Sequence, residues 1–127
     1  MEELIQEMLK KKTWAVAGVS TNKKKYGYII YKRLKEKGYK VYAINPKVNK
    51  IDGENCYKDI NELPEVPEVI NIVTPPKATE QIVEKCKTLG IKYIWIQPGA
   101  ESEKAIESAR KAGIKVLHNT CVYKLAK

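Results

Sequence analysis

Three glycines share one setting. Gly38-Tyr39-Lys40, Gly90-Ile91-Lys92 and Gly113-Ile114-Lys115 each close a helical pattern and open an apolar run. Glycine takes the left-handed conformation that ends a helix at little steric cost. The apolar runs are Thr13–Ala17, Lys40–Ile44, Glu68–Val73, Lys92–Ile96 and Ile114–Leu117. They are rich in β-branched and aromatic residues and apolar nearly throughout, as strands covered on both faces are. Helical faces lie between most of them: Ile29, Ile30 and Leu34; then Ala78, Ile82, Val83, Cys86 and Leu89; then Ala105, Ile106, Ala109 and Ala112. A strand–helix–glycine–strand repeat joined by right-handed crossovers builds an α/β domain. The expectation is an open parallel sheet of about five strands in the order 3-2-1-4-5. Helices cover both faces, and a ligand crevice lies above strands 1 and 4.

One stretch breaks the rhythm. Val48–Pro64 holds a turn signal at Asp52-Gly53 and too few apolar residues for a full helix. It reads as a loop with one short helix near Asp59–Leu63, beside the adenosine end of any bound nucleotide. Residues 1–127 are enough for one domain and too few for two. Leu4, Ile5, Met8 and Leu9 mark a short amphipathic helix at the start, with Glu2 and Glu3 at its beginning and Lys10–Lys12 at its end, as the helix dipole favours. That acidic start does not read as a signal peptide, and no apolar run approaches the roughly 20 residues of a membrane span. Three cysteines, Cys56, Cys86 and Cys121, have no paired spacing, which favours a reducing, cytoplasmic setting.

The formal charge is +9. A Lys- and Glu-rich thermophile surface would account for it, and so would a polyanionic partner. Lys23, Lys24 and Lys25 lie in a predicted loop directly after the first strand, where a phosphate would sit.

In an open parallel sheet, ligands meet the chain where strands end. After strand 1 stand Gly18, Val19, Ser20, Thr21 and Asn22, then Lys23, Lys25 and Gly27. Gly18 allows a tight turn, Ser20 and Thr21 offer hydroxyls, and the next helix start offers N–H groups to an anion. After strand 2 come Asn45, Pro46 and Lys47. A chain built for NAD would put an acid near Asn45 to bond the ribose hydroxyls. A lysine two residues on fits a ribose that carries a phosphate instead, which leaves NADP and coenzyme A both open. Thr74, Pro75 and Pro76 follow strand 3, and Gln97 and Gly99 flank Pro98 after strand 4. Catalytic devices are not evident. His118 is the only histidine, no second histidine or paired carboxylate lies near enough to Cys121 in sequence to complete a nucleophile device, and no metal-ligand cluster occurs.

The set Ala15–Ser20 with Gly27, Gly38–Val41, Asn45-Pro46, Ile51–Gly53 with Tyr57, Leu63-Pro64, Ile94–Gln97 with Gly99, and Ala112-Gly113 leading to Asn119–Cys121 resembles the small single-domain CoA-binding proteins. These look like the CoA-binding domain of the succinyl-CoA synthetase α subunit. The resemblance implies a Rossmann-like fold with coenzyme A as bound ligand. Val19, Ser20, Thr21 and Asn22 would contact it, Lys47 would lie near the adenosine phosphate, and Thr74, Pro75 and Pro76 would line the pantetheine side. Gln97 and Gly99 would border the thiol end. The synthetase's phosphorylated histidine belongs to a later domain, so ligase activity does not transfer, and Asn119-Thr120 replaces the acid and arginine usual before Cys121.

Binding of CoA or an acyl-CoA, without catalysis of its own, is therefore the leading expectation. CoA carries about four negative charges, which suits a basic crevice. An NADP-dependent oxidoreductase or NADP-binding module is the enzyme alternative, although 127 residues leave no room for a substrate domain. Nucleic-acid binding is the third, weakened by lysines spread without an aromatic platform. A homo-oligomer or an unidentified protein partner stays open; exposure of Trp14 or Trp95 at a sheet edge would favour a dimer.

Overall fold

The structure is a computed structural model and describes residues 1–125. It runs α1 (Glu2–Leu9), β1 (Thr13–Ala17), α2 (Tyr26–Glu36), β2 (Lys40–Ile44), β3 (Lys50–Ile51), β4 (Glu54–Tyr57), a 3₁₀ turn (Ile60–Glu62), β5 (Val69–Ile72), α3 (Pro76–Leu89), β6 (Tyr93–Ile96), α4 (Glu103–Lys111), β7 (Lys115–Leu117) and α5 (Val122–Leu125). The three cap glycines take the expected conformation, with φ of 93° at Gly38, 76° at Gly90 and 84° at Gly113.

The seven strands form one sheet in the order β3-β4-β2-β1-β5-β6-β7, and every pair is parallel except β3–β4. Alternation along the strands divides the core in two. Trp14 and Val16 of β1, Val69 of β5 and Trp95 of β6 face α1, α2 and α5 through Ile5, Met8, Ile30, Leu34 and Val122. Ala15, Ala17, Ile70, Ile72, Ile94 and Ile96 face α3 and α4 through Val83, Cys86, Ala105, Ile106 and Ala109. Helices on both faces follow, as the run composition requires. Trp14 and Trp95 are fully buried, and their indole N–H groups donate to the carbonyls of Lys11 and Thr120 at 3.0 and 2.9 Å. Neither marks an exposed edge.

The α/β class holds, but the strand order and count need correction. The run expected third, here β5, pairs with β1 rather than with β2. The place beside β2 belongs to β4, inside the stretch expected to be a loop. Counting β4 as third restores a 3-2-1-4-5-6 order among the parallel strands. It also moves the switch point to between β1 and β5. The cause is a hairpin. Asp52 and Gly53 have φ of 51° and 81°, the positive values that a tight two-residue hairpin turn needs, and they fold β3 back onto β4. Tyr28 Oη donates to Asp52 at 2.7 Å, and Lys35 pairs with Glu54, so α2 holds the hairpin. Only Ile51 and Cys56 of its strands are buried. The short helix expected near Asp59–Leu63 is the 3₁₀ turn, whose Asn61 N–H donates to the Asp59 carboxylate at 2.9 Å.

No helix among the described residues is long and apolar enough to cross a membrane.

Candidate functional site

All parallel strands point their C-terminal ends the same way, so the loops after β1, β2, β4, β5 and β6 meet at one end of the sheet. Gly18 leaves β1 with φ of 104°, and a Cβ there would stand 2.4 Å from the Val73 carbonyl oxygen. Gly27, in the first turn of α2, is closer still: a Cβ would lie 2.1 Å from the Gly18 carbonyl oxygen. The β1 turn, the α2 start and the β5 end are thus packed backbone to backbone, which only glycine permits.

Between Gly18 and Gly27 the loop organises itself. Asn22 N–H donates to Ser20 Oγ at 3.0 Å, and Lys24 N–H donates to Asn22 Oδ1 at 3.0 Å. The N-cap residue of α2 is Lys25, and no side chain caps the helix. Its first N–H groups and its positive dipole end therefore remain available to an anion. Thr21, Lys23, Lys24 and Lys25 are exposed, Ser20 is half-buried, and Val19 is buried in the core. Asn45 ties this loop to the next one: its Nδ2 donates to the Val19 carbonyl at 2.7 Å, and its Oδ1 accepts from Lys47 N–H at 2.8 Å. Asn45 therefore sets the spacing of the two loops. Pro46 and Lys47 project beyond it, exposed.

A crevice with a volume of about 410 Å³ opens at the switch point. Its floor is Ala17, Ile44 and Ile70, and its rim includes Gly18, Asn45, Pro46, Thr74 and Pro75. One wall is α3, with Ala78, Gln81, Ile82 and Lys85; the other is Lys58, Asp59 and Ile60 beside the 3₁₀ turn. Lys85 and Asp59 form an ion pair from wall to wall. Burial pushes the Asp59 carboxyl up, but the Asn61 N–H and Lys85 outweigh it and hold the group below the usual carboxylate range. Pro75 and Pro76 start α3, and Thr74 Oγ1 shares a 2.8 Å hydrogen bond with Thr79 Oγ1.

Of the residues singled out in the sequence, Gly18, Asn45, Pro46, Thr74 and Pro75 line the crevice itself. Val19, Ser20, Thr21, Asn22, Lys23, Lys25, Gly27, Lys47 and Pro76 surround it on the neighbouring loops and helix starts. Gln97 stands apart. It is fully buried, its Nε2 donates to Asn71 Oδ1 at 2.5 Å, and its Oε1 accepts from Val122 N–H at 3.3 Å. Its amide thus braces β5, β6 and α5. Gly99, exposed in the next turn, donates its N–H to Glu101 at 2.8 Å. His118 lies elsewhere, in a shallow groove against Ile106 and Arg110 of α4. Cys121 contacts the Tyr26 hydroxyl at the start of α2.

Sequence reasoning placed the Asp59–Leu63 turn beside the ligand but singled out no side chain of either wall for the site. Lys58, Asp59, Gln81 and Lys85 carry no nucleotide motif. The available signal was spacing: Ala78, Ile82 and Lys85 share a helical face, and Asp59 is a helix-capping residue at a predicted start.

A family model for the CoA binding domain matches residues 12–126. The α subunit of an ADP-forming acetate–CoA ligase II from Pyrococcus furiosus is 34 % identical over 119 residues, covering 85 % of this chain and 26 % of the subunit. The chain therefore spans about a quarter of the length of that curated relative. A conserved hypothetical protein of Pyrococcus furiosus superposes with a TM-score of 0.85 at 38 % identity, over 90 % of this chain and 98 % of its own. A hypothetical protein from Pyrococcus horikoshii superposes with a TM-score of 0.93 at 32 % identity, over 98 % of this chain and 88 % of its own.

Proposed function

The chain belongs to the family of CoA-binding domains, and on that premise we propose that it holds coenzyme A or an acyl-CoA across the crevice without a reaction of its own. One observation carries this reading: a largely apolar crevice opens at the switch point beside Gly18, with lysines on the adjoining loops that join no ion pair among the described residues. The diphosphate would lie on the Ser20–Lys25 loop and the uncapped start of α2, where N–H groups and the helix dipole favour negative charge. Gly18 and Gly27 let the backbone of that loop come close. Lys47 would neutralise the ribose phosphate, and Pro46 would form the floor beneath the adenosine. Thr74, Pro75 and Pro76 would pass the pantetheine arm toward the turn at Gly99. Binding without catalysis is supported by the crevice lining, where the titratable side chains are Lys58, Asp59 and Lys85, two of them neutralising each other.

The test is calorimetric titration, with native mass spectrometry, against CoA, dephospho-CoA, NADP and NAD. CoA is expected to bind tightest, dephospho-CoA more weakly and NAD barely. Equal affinity for CoA and dephospho-CoA would remove the phosphate role of the lysines, and preference for NADP would replace the coenzyme.

A further inference from the structure

The Asp59–Lys85 ion pair joins the two walls of the crevice at some distance in sequence, from the 3₁₀ turn to the middle of α3. Its side chains keep 28 % and 43 % of their exposure, and pairs this open contribute little to stability. Their surroundings are more telling. Ile44, Ile60, Ile70 and Ile82 line the same crevice, so the Asp59–Lys85 pair bridges its walls beside a mostly aliphatic lining. A heteroaromatic base needs that arrangement: apolar surface for its faces and hydrogen-bonding groups for one edge.

Asp59 accepts from Asn61 N–H through Oδ1 and from Lys85 through Oδ2. A carboxylate has about four acceptor sites and an ammonium has three donors, so each member of the pair retains hydrogen-bonding capacity. The pair thus offers a base edge an acceptor beside a donor. A 6-aminopurine presents the matching edge, an amino donor next to a ring-nitrogen acceptor. A 6-oxopurine would turn a carbonyl toward the carboxylate, and the site would hold two acceptors face to face.

We propose that the Asp59–Lys85 pair is the base-selecting element of the crevice, accepting the 6-amino group of an adenine and rejecting 6-oxopurines. The proposal rests on the coenzyme reading above and adds to it a residue-level reason for the choice of base. Gln81, one helical turn before Lys85 on the same wall of the crevice, also lines it.

The experiment measures dissociation constants of CoA, its hypoxanthine analogue and dephospho-CoA for the unaltered chain, Asp59→Asn and Lys85→Met. Asparagine remains a good helix cap, so Asp59→Asn keeps the 3₁₀ turn while replacing one acceptor oxygen with a donor. The unaltered chain should prefer CoA to the hypoxanthine analogue by about 10-fold, the size of losing one hydrogen bond to a charged group. Asp59→Asn should bring that ratio near unity, Lys85→Met should lower it, and the ratio of CoA to dephospho-CoA should stay unchanged in both. Equal binding of the two bases by the unaltered chain, or an unchanged base ratio in Asp59→Asn, overturns the selection and leaves the coenzyme reading intact. Failure of CoA to bind at all overturns both.

Discussion

Where the strands begin, Tyr93 and Lys115 converge on Glu7, Lys40 and Tyr42 converge on Glu65, and the Lys12 and Thr13 N–H groups both donate to Glu68. Where the strands finish, Lys23, Lys24, Lys25, Lys47, Lys58 and Lys77 join no ion pair among the described residues. One sheet therefore carries two kinds of polar surface. At the first end Glu7, Glu65 and Glu68 each meet a donor, and these groups tie neighbouring elements together. At the second, backbone turns are fixed by Gly18, Gly27 and Asn45 while the cations around them are left to solvent. A bound polyanion would give that end the counter-charges that the other end supplies from its own chain.

The sharpest way to break the contrast is to disturb the backbone packing at the crevice end. Gly27→Ala places a methyl group against the Gly18 carbonyl, where neither backbone can yield cheaply. A loss of about 3 kcal/mol of stability is expected, at the upper end of overpacking costs, read by denaturant unfolding, together with loss of ligand binding. Next in size is Lys47→Ala, which should weaken CoA binding by about 1–3 kcal/mol without moving the unfolding midpoint. Lys115→Ala at the opposite end should do the reverse, leaving affinity alone and lowering stability slightly; an affinity loss there would collapse the comparison. Raising ionic strength from about 0.05 to about 0.5 M should weaken ligand binding several-fold and barely alter stability, since screening acts on exposed charge. The smallest effect concerns acid. The hydrogen bond from Tyr93, then that from Lys115, holds the Glu7 carboxyl below its ordinary 4.5. A depressed folded value stabilises above the unfolded one, so this contribution is present at neutral pH. It fades as pH falls below 4.5 and through the lowered folded value. Glu7→Gln should therefore lose less thermal stability than the unaltered chain between pH 7 and pH 3.

Elements buried on both faces were the ones that could be read from residue pattern. Val69–Ile72 and Tyr93–Ile96 are nearly unbroken apolar runs because both core halves press on them. Each cap glycine stood where its helix stops. β4 escaped because Glu54-Asn55-Cys56-Tyr57 buries little more than Cys56, so periodicity had almost nothing to register. Missing it displaced β5 by one position in the order. The crevice rim was legible because strand ends and turn residues coincide there. Its walls were not, since Asp59 and Lys85 meet only through tertiary packing, at a separation of 26 residues. Gln97 shows the opposite error of emphasis: its position at a strand end pointed outward to a ligand, while the fold turned its amide inward to Asn71 and Val122.

The β3–β4 hairpin has a consequence for how copies of this chain meet in a crowded solution. Without it, Ala43 and Ile44 of β2 would present their N–H and C=O groups to any passing strand. With it, the outermost strand on that side is the two residues Lys50–Ile51. Two residues offer too short a template for strand addition, and the lysine sets a charge on it. The hairpin therefore shields the C-terminal end of that edge, next to the ligand loops, from strand addition.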